Sequence, residues 1–495
     1  MWPKRIVIPA VLALCLALPG IPLAAQVDGV ITVEGDCTLA DAITAANTDS
    51  ATGACPAGDG DDTIVLTADV VVSAPEDGIT VRGNNYGDVG LPVITTAITI
   101  EGNGYAITRA PEADPFRLLA ITGDGTLTLD SVTGSGGIGS GGTPRGMGGF
   151  LLSFGTVSIA DSTFSGNETD DSGGAIANVG TLTISGSTFT DNVAAKDGGA
   201  VYIISGEVEI ADTIFSANSA GEEGGAVANI KTLTISGCTF ADNVAGMEGG
   251  ALFSSGGNGV AIISDSTFRD NHADFKGGGI SNHNQMTISA SAIIDNTTPG
   301  GGGGVLNEQG VLAITDSTLV NNIGERGAGI DNVYYSELSL VNTTLILNEA
   351  ELEGGGLINR ENSTATITNC AFVGNVAGES GGGIQAGRTS VHLVNTIVAG
   401  NAGGDCANID GEFTGNNNLA GDDSCVGAAV DPEIVAGLPD DLTEMGEDEL
   451  LSFTLVVNSA LDAGDPDACP ETDQRGVPRE DGCDIGAWES VDTTE

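Results

Sequence analysis

The sequence predicts an all-β protein: a single right-handed parallel β-helix with three strands per turn, a short helical cap at the N-terminal end and a cap at the C-terminal end. Three observations carry that expectation. An apolar pair, S-x-S-T-F-x-x-N, a short acidic spacer, Gly-Gly and an apolar residue recur from Ile159 to Asn401. The closing asparagines, Asn167, Asn192, Asn218, Asn243, Asn271, Asn296, Asn322, Asn348, Asn375 and Asn401, follow one another at steps of 25 to 28 residues. No copy holds an amphipathic helical stretch. A fixed period of this size marks stacked repeats that bury a shared core.

One copy shows why. Leu182 and Ile184 alternate with Thr183 and Ser185, the period of a half-buried strand. Ser187-Thr188-Phe189 reads as a second strand, Asp191-Asn192 as a turn, Gly198-Gly199 as another, and Ala200-Val201-Tyr202 opens a third strand. Stacking at roughly 4.8 Å per turn sets like residue over like. Phe189, Phe240 and Phe268 then form a core row, continued by Ile293, Leu319, Leu345 and Val398, and the asparagines form a structural ladder.

The remaining segments follow in order. Lys4 and Arg5, an apolar run from Ile6 to Leu18 and small residues up to Ala25 read as a secretory signal peptide, residues 1–25. Residues 26–62 read as the N-terminal cap. Thr38 N-caps a helix whose apolar face is Leu39, Ala42, Ile43 and Ala46, with its exit near Asn47. Residues 63–158 hold irregular turns around Thr63–Leu66, Ile79–Val81, Ile98–Ile100 and Leu127–Leu129. A glycine-rich loop, Gly134–Gly149, carries Arg145 as its only charge and lacks the Lys-Ser/Thr of a phosphate loop. Residues 159–427 are the regular repeats and 428–495 the C-terminal cap.

Nine cysteines fall as Cys15 in the leader, three close pairs and two singletons. In an exported chain Cys37 with Cys55, Cys406 with Cys425 and Cys469 with Cys483 read as disulfides flanking the repeats. Cys238 and Cys370 share the small inward slot of Ser187 and read as buried thiols. After the leader, 13 basic side chains face 68 acidic ones. Such a field repels nucleic acid and anionic lipid, so no nucleic-acid partner is expected. No later stretch is long enough to span a membrane.

Two termini and the repeat resemble known families. Cys37-Thr-Leu-Ala-Asp-Ala-Ile43 with Ala46-Asn47 is similar to the CSLREA-type motif of secreted bacterial β-helix proteins, with Leu-Ala-Asp in place of Leu-Arg-Glu. Gly173-Gly-Ala-Ile176, Gly198-Gly-Ala-Val201, Gly224-Gly-Ala-Val227 and the Phe-x-x-Asn copies resemble repeats of chlamydial polymorphic membrane proteins. Those proteins continue into an outer-membrane barrel; the 68 residues after Gly427 are too few for one, so no such anchor is expected. Ser459-Ala-Leu-Asp-Ala-Gly464, Asp473-Gln-Arg-Gly-Val-Pro-Arg479 and Cys483-Asp-Ile-Gly-Ala-Trp-Glu489 resemble the choice-of-anchor Q domain, although the acidic Glu444–Leu450 replaces its usual Asn-Gly-Gly-Pro-Thr segment. These resemblances imply a protein exported to the bacterial surface or medium.

The sequence offers little chemistry. Many β-helices are polysaccharide lyases or hydrolases, which need a cation or carboxylate pair in a walled cleft. Arg269, Lys276 and Arg326 are the best basic cluster, and His272, His283 and His392 are isolated. No Gly-His-Gly and no Arg-x-Pro-x-x-Arg occurs. No catalytic residue and no cofactor is expected; weak calcium binding by Asp197, Glu223, Glu248 and Glu353, a row before the glycine pair, is the alternative to a solvated acidic edge. The resemblance of the repeat and the caps to those families implies a non-enzymatic, adhesin-like or display β-helix, expected to be monomeric, with a surface glycan or a component of a host or neighbouring cell as partner. The alternative is a polysaccharide lyase or glycoside hydrolase on a pectate-lyase-like β-helix.

Overall fold

A computed structural model describes residues 29–81, 84–141, 144, 146–256, 259–425, 427–431, 434, 458–479 and 482–490. The signal peptide, Arg145 and Glu444–Leu450 lie outside them. The chain is a right-handed parallel β-solenoid. Among the described residues the first and second sheets each count 15 strands, and the third counts 12. Successive turns pair in parallel without register slip through most of the stack, as in Thr156–Ala160 on Thr181–Ser185 and Thr163–Ser165 on Thr188–Thr190. The expected three strands per turn are joined by a fourth, two-residue ladder, for example Val193–Ala194 beside Ser219–Ala220.

The core is narrow, so its rows touch along the axis. The rings of Phe164, Phe189, Phe215, Phe240 and Phe268 stack at centroid spacings of 5.0, 5.0, 4.8 and 4.6 Å. In front of Phe164 stands Gly134, in the same register position. Phe150 fills the space its missing side chain leaves, with its ring 4.9 Å from that of Phe164. The expected glycine-rich loop is thus partly built into the stack, as the strands Thr133–Ser135 and Ile138–Gly139.

Buried polar rows close the turns. Each ladder asparagine donates from Nδ2 to the Oδ1 of the next, from Asn167 to Asn192 at 3.0 Å through to Asn375 to Asn401 at 3.0 Å. It also donates to the main-chain oxygen of the Phe slot one turn back, as Asn192 does to Phe164 at 3.0 Å. Buried amides so satisfied avoid the cost of orphaned polar groups. A second amide row, absent from the sequence reading, links Asn282, Asn307, Asn332 and Asn359 at 2.8, 2.7 and 2.7 Å. Cys238 and Cys370 are buried in the Ser187 row, and burial pushes their thiols up to about 11 and about 12.

The N-terminal helix Leu39–Thr48 buries Leu39, Ala42, Ile43, Ala45 and Ala46 against the first turns. Thr38 accepts from the Asp41 N–H at 3.1 Å, and the exit is Asp49 at φ 48°, not Asn47. Asn47 stays inside the helix and ties it to the stack, donating to the Val93 oxygen and accepting from the Thr95 N–H, both at 2.9 Å. The Cys37–Cys55 disulfide staples this cap. Ile79–Val81, expected in a turn of the stack, lies instead in an antiparallel hairpin, Glu76–Val81 with Asn84–Val89.

The described part of the C-terminal segment, residues 458–479 and 482–490, lies along the outer flank of the second sheet. The outward row of that sheet reads Ser165, Thr190, Ser216, Ala241 and Arg269, and then turns apolar as Ile294, Val320, Ile346 and Val373. Ala487 and Trp488 pack on that apolar half. The turn position before the sheet also changes, from Asp212, Gly237, Asp265, Ala290 and Asp316 to Asn342, Asn369 and Asn395, all at positive φ. An amide can donate where a carboxylate cannot. Asn342 donates to the Thr472 oxygen at 2.8 Å and Asn395 to that of Asp465 at 3.2 Å. Within the segment Arg475 pairs with Asp473 at 2.5 Å and stacks on Trp488, Arg479 pairs with Glu489 at 2.8 Å, and Cys469–Cys483 closes the loop.

Candidate functional site

Charge is concentrated on the positions that flank the third sheet, and strand alternation sets the floor between them. In Ile176–Asn178, Ile280–Asn282 and Ile330–Val333 the first and third residues line the core, so the second faces out. Those outward residues run Ala177, Tyr202, Ala228, Phe253, Ser281, Leu306, Asp331, Ile358 and Gln385 in strict register. They form the floor of a groove. One rim is the position before the glycine pair: Asp197, Glu223, Glu248, Lys276, Gly301, Arg326, Glu353 and Ser380. The other rim includes His283, Glu308 and Arg360.

The rims bond across the floor. His283 Nε2 lies 2.7 Å from Glu248 Oε2, which also accepts from Ser281 Oγ at 2.9 Å. Burial disfavours charge on both partners, but their mutual hydrogen bond and attraction prevail: His283 is held above, and Glu248 below, its ordinary range. Glu223, one turn away, has no such cation at contact. Burial, then the carboxylates of Asp197 and Glu248, push it up to about 7. Further along, Lys276 Nζ meets Glu308 at 3.0 Å, and Arg326 lies 3.0 Å from Glu325 and 3.5 Å from Glu353. Arg360 grips the fully buried Asp331 with two bonds, at 3.0 and 2.7 Å.

Gly301 breaks the rim. It is the one rim position from Asp197 to Ser380 without a side chain, and a Cβ there would run into Asp331 Oδ2. A hollow of about 380 Å³ opens over it, walled by Phe275, Lys276, Arg326, Tyr334 and Arg360. A second hollow of about 360 Å³ lies further along the axis, sharing Arg326 and Arg360 and adding Glu361, Gln385 and Arg388. Tyr334, Glu361 and Arg388 occupy a turn position at φ 58°, 55° and 57°. An L-residue pays about 1 kcal/mol for that conformation, which glycine or asparagine largely avoids.

The expected site residues are regrouped by this geometry. Asp197, Glu223 and Glu248 follow one another, but Glu353 stands beyond Lys276 and Arg326 and faces Arg326. Among the described residues no three His, Cys, Asp or Glu side chains are arranged to hold a metal ion. Arg269 leaves the expected basic cluster: it projects from the second sheet and pairs with Asp270 at 3.2 Å. Arg360 and Arg388 join Lys276 and Arg326 instead. His283, expected to be isolated, is ion-paired; His272 and His392 stand on other faces, beside Thr297 and Thr414. The three expected cysteine pairs are disulfides.

Two family models match the chain, and the first agrees with the fold. The right-handed β-helix region family matches residues 175–350, and a Chlamydia polymorphic membrane protein repeat matches residues 161–179. No curated protein sequence matches the chain. Among solved structures, the A-module of the mannuronan C-5 epimerase AlgE4 of Azotobacter vinelandii is similar over 82% of this chain and 98% of its own. Its sequence identity is 14% and its TM-score 0.34.

Proposed function

We propose that this chain is an exported bacterial β-helix that acts outside the cytoplasm as a non-enzymatic, adhesin-like rod, meeting its partner through the third-sheet groove. One observation carries the reading: six of the groove's charged side chains are fixed in three pairs, Glu248 with His283, Lys276 with Glu308 and Asp331 with Arg360. Groups held this way suit recognition, because little ordering is left to do on binding. They do not suit proton transfer, which needs a group free to exchange its proton.

The cellular setting has separate support. Three disulfides belong to an oxidising compartment. The polymorphic membrane protein repeat and the resemblance of both termini to secreted β-helix proteins point the same way. The acidic surface favours a solvated monomer. Among the described residues no helix is long and apolar enough to cross a membrane.

The test combines location with contact. Protease added to intact cells should cleave the protein, and beads coated with the purified chain should attach to a cell or polysaccharide surface. Full protection in intact cells would end the reading. A second reading, a polysaccharide hydrolase, is favoured by one feature, the Glu223 carboxyl that keeps its proton to about pH 7 beside Glu248. Release of new reducing ends from a polysaccharide panel would establish it in place of the adhesin.

A further inference from the structure

We infer that the hollow over Gly301 is a binding site for one unit of a neutral, hydroxyl-rich glycan whose chain continues along the third-sheet groove. The inference rests on the adhesin-like reading and names the ligand class of that face.

The shape comes first. The hollow exists because the rim loses its side chain at Gly301, while Lys276 and Arg326 stand one turn to either side. Its volume of about 380 Å³ falls within the range of small-molecule sites, about 300–1,000 Å³. The second hollow lies about two turns on, roughly 10 Å along the axis. Two hollows in file suit an extended chain rather than a single compact molecule.

The walls come next. Phe275 is 52% exposed and Tyr334 39% exposed, and both line this hollow. In a chain with only 4% aromatic residues, two partly exposed rings at one hollow are a concentration that isolated surface apolar groups do not explain, with the Lys276 Nζ 5.1 Å from the centre of the Phe275 ring. Flat rings offer an apolar face to the C–H face of a sugar at low entropic cost. Tyr334 also holds its ring in a left-handed backbone conformation that asparagine would adopt more easily.

Charge then selects the ligand. Lys276, Arg326 and Arg360 are offset at the hollow by Asp274, Glu308, Glu325 and Asp331, and the whole chain carries a net charge of −53. A uronate or sulfated sugar would meet repulsion overall and no unpaired cation at the Gly301 hollow. Paired side chains instead present fixed donors and acceptors together. Hydroxyl groups, which both donate and accept, match that mixture.

The test titrates the mature chain with cellohexaose, xylohexaose and mannohexaose, and with an oligogalacturonate of the same length, by calorimetry at 0.15 M salt. At least one neutral hexaose should bind, the oligogalacturonate should not, and affinity should fall at least tenfold in Tyr334→Asn and in Phe275→Ala. Asparagine is at home at that φ, so Tyr334→Asn should keep its melting temperature; a folded variant with unchanged affinity would overturn the inference. So would binding of the oligogalacturonate alone. If no hexaose binds while coated beads still attach to cells, the ligand class is wrong and the adhesin-like reading stands.

Discussion

Nδ2 of Asn369 donates to the main-chain oxygen of Asp484 at 3.0 Å, across 115 residues of chain. Its neighbours one turn away, Asn342 and Asn395, make matching bonds to Thr472 and Asp465. Asn369→Asp would set a buried carboxylate against carbonyl oxygens, at a cost of about 3 kcal/mol. The C-terminal segment should release while the turns persist. Trp488 is the only tryptophan after Trp2, so its emission in a chain prepared without residues 1–25 reports release directly. Faster trypsin cleavage at Arg475 and Arg479 should accompany the red shift.

Asn243 sits mid-ladder. It donates to Phe215 O and to Asn271 Oδ1 and accepts from the side chain of Asn218, each at 3.0 Å. Asn243→Leu should destabilise by about 3–5 kcal/mol, since it orphans groups on both adjacent turns. Hydrogen exchange should quicken around Asn218 and Asn271 first, because each turn contacts only its neighbours.

Glu223 ties stability to pH. The unfolded carboxyl titrates near 4.5 and the folded one at about 7. Between those values the folded chain binds the extra proton, so its stability falls as pH rises. Glu223→Gln removes that loss. The variant should melt above wild type at pH 8, by the equivalent of about 1–3 kcal/mol, and together with it at pH 4. Equal melting at both values would refute the assignment.

Replacing Cys37 and Cys55 by serine opens a loop of sequence separation 18, worth about 3 kcal/mol. The loss should be local. Protection from exchange should drop in Val30–Val33 and Asp62–Leu66, under the helical cap, and stay unchanged around Phe215.

The stack was legible because it repeats. Phe189 over Phe215 follows from a shared slot in the sequence, and so does the parallel pairing of each turn on the next. What escaped was whatever depends on two distant stretches at once. The row from Ser165 to Val373 changes from polar to apolar in plain view, yet only the docked segment gives the change a meaning. Likewise the switch from Asp316 to Asn342 looks neutral until a carbonyl faces it. Ile79–Val81 alternates like a turn of the stack but forms a hairpin, because local period does not choose a partner strand. Gly301 is hidden inside the run Gly300–Gly304; that it notches a rim between Lys276 and Arg326 appears only when turns are laid side by side. The carboxyl of Glu223 is unusual through burial and its neighbours, not through its own identity.

The near-constant offset between successive asparagines has a genetic corollary. An in-frame duplication or deletion of one copy between Asn192 and Asn271 would lengthen or shorten the rod by a single step of roughly 4.8 Å. It would leave the Gly301 hollow and the Asn369 clasp in unaltered surroundings. Length is therefore a quantity that recombination can adjust like the divisions of a ruler, independently of the hollow and the clasp.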